Sequence, residues 1–277
     1  MFKKRLIAII GTIFIGTTAM IGCTSSGGAT KSSNVVVSVS GSTSVGPVME
    51  AEAEAFKTKK PDVSIEINQI GSSAGIKNAM DGVSQIGMAS RDLKPEEKQA
   101  GLKEVEIAYD GIALITNKNN PVKDLTIAQI KDIYTGKITN WKDVGGKDAP
   151  IVVVSREDGS GTRDAFQEIV GFKAEELTVN SQISDGSGNI KSLVGGNENA
   201  IGYISFSYVD DTVSALKVDG VDAIPENVIN KSYKVSRPFL VVYKEDSLTE
   251  SGKSFIDFIL SEEGQDIVSK EHLIKIK

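Results

Sequence analysis

Three times between Val35 and Val170 a short apolar, β-branched run ends in a serine- and glycine-rich loop that opens at once into a helical pattern. Residues 35–39 lead through Ser40-Gly41-Ser42-Thr43-Ser44 to Val45, Val48, Met49, Ala53 and Phe56 at helical spacing, with Pro47 in the first turn, where its missing N–H does no harm. Residues 63–70 lead through Gly71-Ser72-Ser73-Ala74-Gly75 to Ile76, Met80 and Val83. Residues 151–154 lead through Ser155-Arg156-Glu157-Asp158-Gly159-Ser160-Gly161-Thr162 to Phe166, Ile169 and Val170. With further strand-like runs at 86–88, 107–116, 201–206 and 239–243, the chain reads as an α/β protein.

The first N–H groups of a helix have no internal partner and carry the positive end of its dipole, so such loops bind anions. Glycine lets backbone approach closely, and Ser or Thr adds uncharged hydroxyl donors. Any one loop reads equally well as an ordinary N-cap serving its own helix. Three together change the reading, because the ligand crevice of an open α/β sheet lies beyond the carboxyl ends of its strands, where the loops can converge. The third loop has the shape of a phosphate cradle but lacks the Gly-Lys-Ser/Thr ending of a P-loop, and Gly252-Lys253-Ser254 has that ending with Ser247 where the first glycine is required.

Arg156 adds a full positive charge on a planar fork suited to two oxygens of a tetrahedral anion. It reads also as an ion pair with Glu157 or Asp158, and both roles fit if a carboxylate at Asp158 fixes one edge of the guanidinium. A second Ser-Arg pair, Ser90-Arg91, ends the run 86–88, and Arg91 reads equally as a ligand or a surface charge.

The N-terminus has the anatomy of an export signal: Lys3, Lys4 and Arg5, an apolar run from Leu6 to Ile15, then small residues before Cys23. That run is too short to cross a bilayer. Cys23 is the single cysteine, so it has no intramolecular disulfide partner, and Met20-Ile21-Gly22-Cys23 resembles a bacterial lipobox, whose cysteine is lipidated and becomes the mature N-terminus. Thr24-Ser25-Ser26-Gly27-Gly28 and the residues after it read as a flexible tether. The sequence has a net charge of −6, and removal of the first 22 residues strips three more positive charges. An acidic chain argues against nucleic acid as a partner but not against a small anion, whose site is set by local dipoles. The single histidine, His272, and the lack of His/Cys clusters with metal-ligand spacing leave no expected catalytic residue, metal or cofactor.

The motifs GSTSVGP (41–47), GSSAG (71–75), IGMASRDL (86–93), LTIAQIKDIYTGKITNWKDVGG (125–146), SREDGSGTRDAF (155–166) and AIGYISF (200–206) together resemble the phosphate-binding lipoproteins of bacterial phosphate ABC importers. The resemblance implies a two-lobed α/β periplasmic-binding-protein fold, type II, with the ligand cleft between the lobes. It implies a signal peptide at 1–22, a tether at 23–33, one lobe from 34–112 with 236–277, a second from 113–235, and hinges near 110–117 and 239–243. It implies inorganic phosphate held by Thr43, Ser44, Ser72, Ser90, Arg156, Ser160, Gly161 and Thr162, with Asp158 orienting Arg156; Arg91 is a further candidate ligand, and Ser42, Ser73 and Asp110 are candidate supports. It further implies a monomer, anchored to the extracytoplasmic face of the cell membrane through Cys23, that delivers phosphate to the transmembrane subunits of an ABC permease. Many members carry Asp where Arg91 stands, and that Asp takes a proton from phosphate and rejects sulfate; here Asp110 and Asp158 are the substitutes expected. Sulfate, molybdate or a small organic phosphate are alternative ligands. A phosphate-ester hydrolase and a surface adhesin are alternatives of other classes.

Overall fold

The computed structural model describes residues 35–276, so the expected signal, Cys23 and tether lie outside the described residues. The strands are β1 (Val35–Gly41), β2 (Val63–Gln69), β3 (Ile86–Ala89), β4 (Lys103–Asn117), β5 (Asp124–Leu125), β6 (Val152–Arg156), β7 (Gln182–Ser184), β8 (Ala200–Ser205), β9 (Val213–Ala215), β10 (Lys217–Val218) and β11 (Ser236–Tyr243). The helices are α1 (Gly46–Lys59), α2 (Ser72–Met80), α3 (Pro95–Gln99), α4 (Ile127–Tyr134), α5 (Gly161–Val170), α6 (Ser187–Gly195), α7 (Pro225–Ile229), α8 (Glu250–Ile259) and α9 (Glu262–Lys270). All seven apolar runs are strands. The four strands that sequence pattern misses, β5, β7, β9 and β10, have two or three residues each, too few to show a period.

The main sheet runs β2-β1-β3-β11-β4-β8-β6-β7, with β9 added beside β4. Its apolar side chains form two large cores. One gathers Val37, Val39, Met49, Phe56, Ile107, Phe239 and Phe255, and the small cluster of Ile76, Ala89, Leu93 and Leu240 lies on the same half of the sheet. The other gathers Ile112, Leu114, Tyr134, Trp141, Phe166, Tyr203 and Val235. Two strands join them. β4 pairs antiparallel with β11 up to Gly111 and with β8 from Ile112 onward. β11 returns from Val235 in the second core to Phe239 in the first.

The second crossing therefore falls at 235–237, ahead of the expected 239–243, which packs into the first core and the small cluster beside it, against β3 and β4. At the crossing, Arg237 is the register partner of Asp110 and donates to its Oδ2 from Nε (3.1 Å) and Nη2 (2.8 Å). Asp110 Oδ1 accepts from Ser205 Oγ and from the Phe206 N–H. Burial pushes the Asp110 carboxyl above the ordinary range, against the pull of Arg237.

Gly41 shows why the first loop begins where it does. Its φ is +143°, and a Cβ there would stand 2.2 Å from the Met88 carbonyl oxygen, so only glycine fits. Its own carbonyl accepts from both Ile70 N and Gly71 N at 2.9 Å, which ties the first loop to the second.

Candidate functional site

The three loops foreseen in the sequence do converge, and a fourth joins them. Ser44 Oγ lies 2.8 Å from Thr162 Oγ1 and 2.9 Å from Ser187 Oγ, and Ser72 Oγ lies 3.3 Å from Ser90 Oγ. The fourth loop, Asp185-Gly186-Ser187-Gly188, opens α6 with Ser187 fully buried. It repeats the Asp-Gly-Ser-Gly of residues 158–161, the one feature that could have revealed it. The preceding strand β7 is short and largely exposed, so no apolar run points to it.

Helices α1, α2 and α6 have no side-chain N-cap, which leaves N–H groups at their starts available to a ligand. Ser42 Oγ accepts from Ser44 N and Val45 N, shaping the first loop. Ser160 caps its own helix by accepting from Arg163 N (3.3 Å), and its hydroxyl hydrogen stays free to donate outward.

Arg156 is the charge at the centre, only 1% exposed at the end of β6. Its Nε and Nη2 donate to the two oxygens of Glu157, each at 2.7 Å. Its other edge donates from Nη1 to Ser187 Oγ (3.2 Å) and from Nη2 to Thr43 Oγ1 (3.0 Å). Tyr203 fixes the strand end: its hydroxyl accepts from Arg156 N, lies 2.8 Å from Ser155 Oγ, and its ring stacks on Phe166 at 4.0 Å. Hydroxyls both donate and accept, so the contacts among Thr43, Ser44, Thr162 and Ser187 are ones that the oxygens of a tetrahedral anion can take over. An open vestibule of about 570 Å³, lined by Thr43, Gly71, Glu157, Ser187 and Tyr208 among others, adjoins these groups.

Three expected roles need correction. Asp158 is exposed, and the carboxylate that orients Arg156 is its neighbour Glu157, whose side chain lies alongside the guanidinium. Asp110 is spent on the crossing between the two cores, where both of its oxygens already accept hydrogen bonds. Arg91 is buried but turned to carboxylates: Nη1 and Nη2 donate to Glu97 at 2.7 and 2.8 Å, and Nη2 also to Ser73 Oγ at 3.2 Å. His272 is exposed and lines a separate groove of about 980 Å³ with Tyr109 and Ile229, apart from the loops. Among the described residues no group of His, Cys, Asp and Glu is arranged to hold a metal.

Gly161 is the point of closest approach. A Cβ there would lie 2.3 Å from Ser72 Oγ and 2.8 Å from Ser72 Cβ, so the residue must be glycine for the two loops to meet. Gly161→Ala is expected to weaken anion binding about tenfold or more, the scale of overpacking, with little change in thermal stability. Calorimetry beside a melting curve measures both, and unaltered affinity would show that the loops do not meet in the bound state.

The chain matches the PBP superfamily domain over residues 24–263. It is 36% identical over 234 residues to the phosphate-binding protein PstS of Bacillus subtilis, covering 83% of this chain and 76% of that protein. It is similar in structure to a candidate phosphate ABC transporter substrate-binding protein with bound phosphate from Clostridium perfringens, with a TM-score of 0.87, 91% identity, 87% of this chain covered and 100% of the other. An ABC-type phosphate transport receptor from Vibrio cholerae matches with a TM-score of 0.73 and 36% identity, over 87% of this chain and 99% of the other. The chain belongs to the PBP superfamily and, within it, to the PstS family of phosphate-binding proteins.

Proposed function

We propose that the protein is the substrate-binding component of a phosphate ABC importer, capturing inorganic phosphate between its two lobes. The observation that carries this is the meeting of hydroxyls from three helix-opening segments, those of α1, α5 and α6, beside one buried guanidinium, Arg156, which itself donates to Thr43 and Ser187. A doubly charged anion loses its hydration there, and the fixed N–H dipoles, hydroxyls and one cation replace it. The role is capture and release, not chemistry, in line with relatives that are named as binding proteins and a transport receptor. Titration calorimetry with phosphate tests the reading, with sulfate and molybdate as the alternative oxyanions. Saturable 1:1 binding of phosphate is expected, and no heat with phosphate would overturn it.

We infer further that the mature chain begins at a lipidated Cys23, stands on the outer face of the cell membrane, and works as a monomer that hands phosphate to the permease subunits. The lipobox-like Met20-Ile21-Gly22-Cys23 and the polar residues after it support this. Cys23→Ala is expected to release a folded protein from the membrane fraction. Equal retention of the variant, with its signal still cleaved, would count against lipidation.

A further inference from the structure

Arg91, which takes no place among the anion's hydroxyls, makes a different contact. Its Nε lies 3.0 Å from Asp164 Oδ2, an ion pair rather than an aligned hydrogen bond, and Lys94 Nζ approaches the same oxygen at 3.3 Å. The partners come from different halves of the molecule. Arg91 and Lys94 flank Leu93, which packs with Ala89 on the first half, whereas Asp164 precedes Ala165 and Phe166 of the second core. Glu97, in the same half as Arg91, grips both Nη atoms and so leaves the Nε edge facing Asp164. The contact is sheltered, with the Arg91 side chain 5% and the Asp164 side chain 28% exposed, so salt screens it less than a surface pair. Asp164 sits two residues beyond Thr162, in the first turn of the helix that carries the anion loop.

We propose that Asp164, held by Arg91 and Lys94 across the cleft, is a positioning residue that latches the two lobes closed over the bound anion. The proposal rests on the phosphate-binding reading above. The latch contributes to the closed arrangement alone, and a ligand enclosed only there binds in proportion to the closed population, so weakening the latch weakens binding and speeds release.

The sign of the effect is diagnostic. A carboxylate in the first turn of a helix opposes a nearby anion, so its removal by itself makes the loop more positive and tightens phosphate binding. The latch requires the opposite. Asp164→Asn in the full-length protein is expected to weaken phosphate about tenfold, the scale of losing one sheltered ion pair, mainly through faster release. Asp164→Glu should recover part of that loss, and Lys94→Met, which weakens the same pair from its exposed side, should act in the same direction more mildly. The wild-type affinity should fall with added salt more steeply than that of Asp164→Asn. Spin labels on the two lobes, read without phosphate, should show a larger open population in Asp164→Asn. Phosphate binding by Asp164→Asn that equals or exceeds wild type, or unchanged ligand-free distance distributions, overturns the latch. A wild type that fails to bind phosphate sinks the functional reading instead, and the ligand-free distances still judge the latch.

Discussion

Arg156→Ala is expected to weaken phosphate binding by about 3 kcal/mol or more, roughly a hundredfold, the cost of breaking a buried, hydrogen-bonded charge pair. Two effects add. The anion loses the planar fork that meets it, and Glu157, which now neutralises the guanidinium through two 2.7 Å bonds, is left as an unpaired carboxylate facing the ligand. Ser187→Ala or Thr162→Ala removes a single neutral donor and should cost about 1 kcal/mol, near fivefold. Arg156→Lys keeps the charge without the fork, cannot span Glu157 and the ligand together, and should recover only part of the affinity. Calorimetry on the four variants, with circular dichroism to confirm the fold, orders them. An Arg156→Ala protein that binds no worse than Ser187→Ala would remove the guanidinium from the centre of the site.

Glu52→Gln is expected to stabilise the protein increasingly as pH rises. Glu52 lies on the inner face of α1, 1% exposed, with neither oxygen hydrogen-bonded. Burial, aided by the charge of Glu263, pushes its carboxyl up to about 9 from the ordinary 4.5. A folded-state value above the unfolded one means that the folded state holds its proton longer, so the contribution to stability is complete below pH 4.5 and is lost as pH climbs towards 9. By pH 7 the loss is on the order of 3 kcal/mol, which the glutamine variant does not suffer. Because α1 carries the loop of Thr43 and Ser44 at its start, the effect reaches the site through stability of its support. Urea melts of both proteins at pH 5, 7 and 8.5 measure it, and parallel pH profiles would show that Glu52 does not hold its proton in the folded protein.

Much of the candidate site is legible in the sequence because its parts are local. Thr43, Ser44, Ser72, Ser160, Gly161 and Thr162 stand in loops whose glycines and hydroxyls lie between a strand run and a helical run, and those runs form β1, β2, β6 and the helices that follow. Ser187 was missed because its strand, β7, is three residues long and mostly exposed, although its loop repeats the tetrapeptide of the third. The partners of the charges are hidden in the sequence for a different reason. Whether Glu157 or Asp158 meets Arg156, and whether Arg91 meets the ligand or Glu97, depends on side-chain direction, and neighbouring positions in the sequence look alike.

The α/β layout, the seven principal strands, the serine- and glycine-rich loops that open helices and the family resemblance are all readable without a structure, because each rests on periodicity, turn chemistry or motif order within short windows. Which distant groups share a site is visible in the three-dimensional arrangement alone. Ser44 reaches Ser187 across 143 positions, Arg237 reaches Asp110 across 127, and Asp164 meets Arg91 from the other core. Those pairings follow from the order of strands in the sheet and from the two crossings between cores, and no local pattern in a chain encodes which of its many serines, arginines and carboxylates the fold will bring within 3 Å.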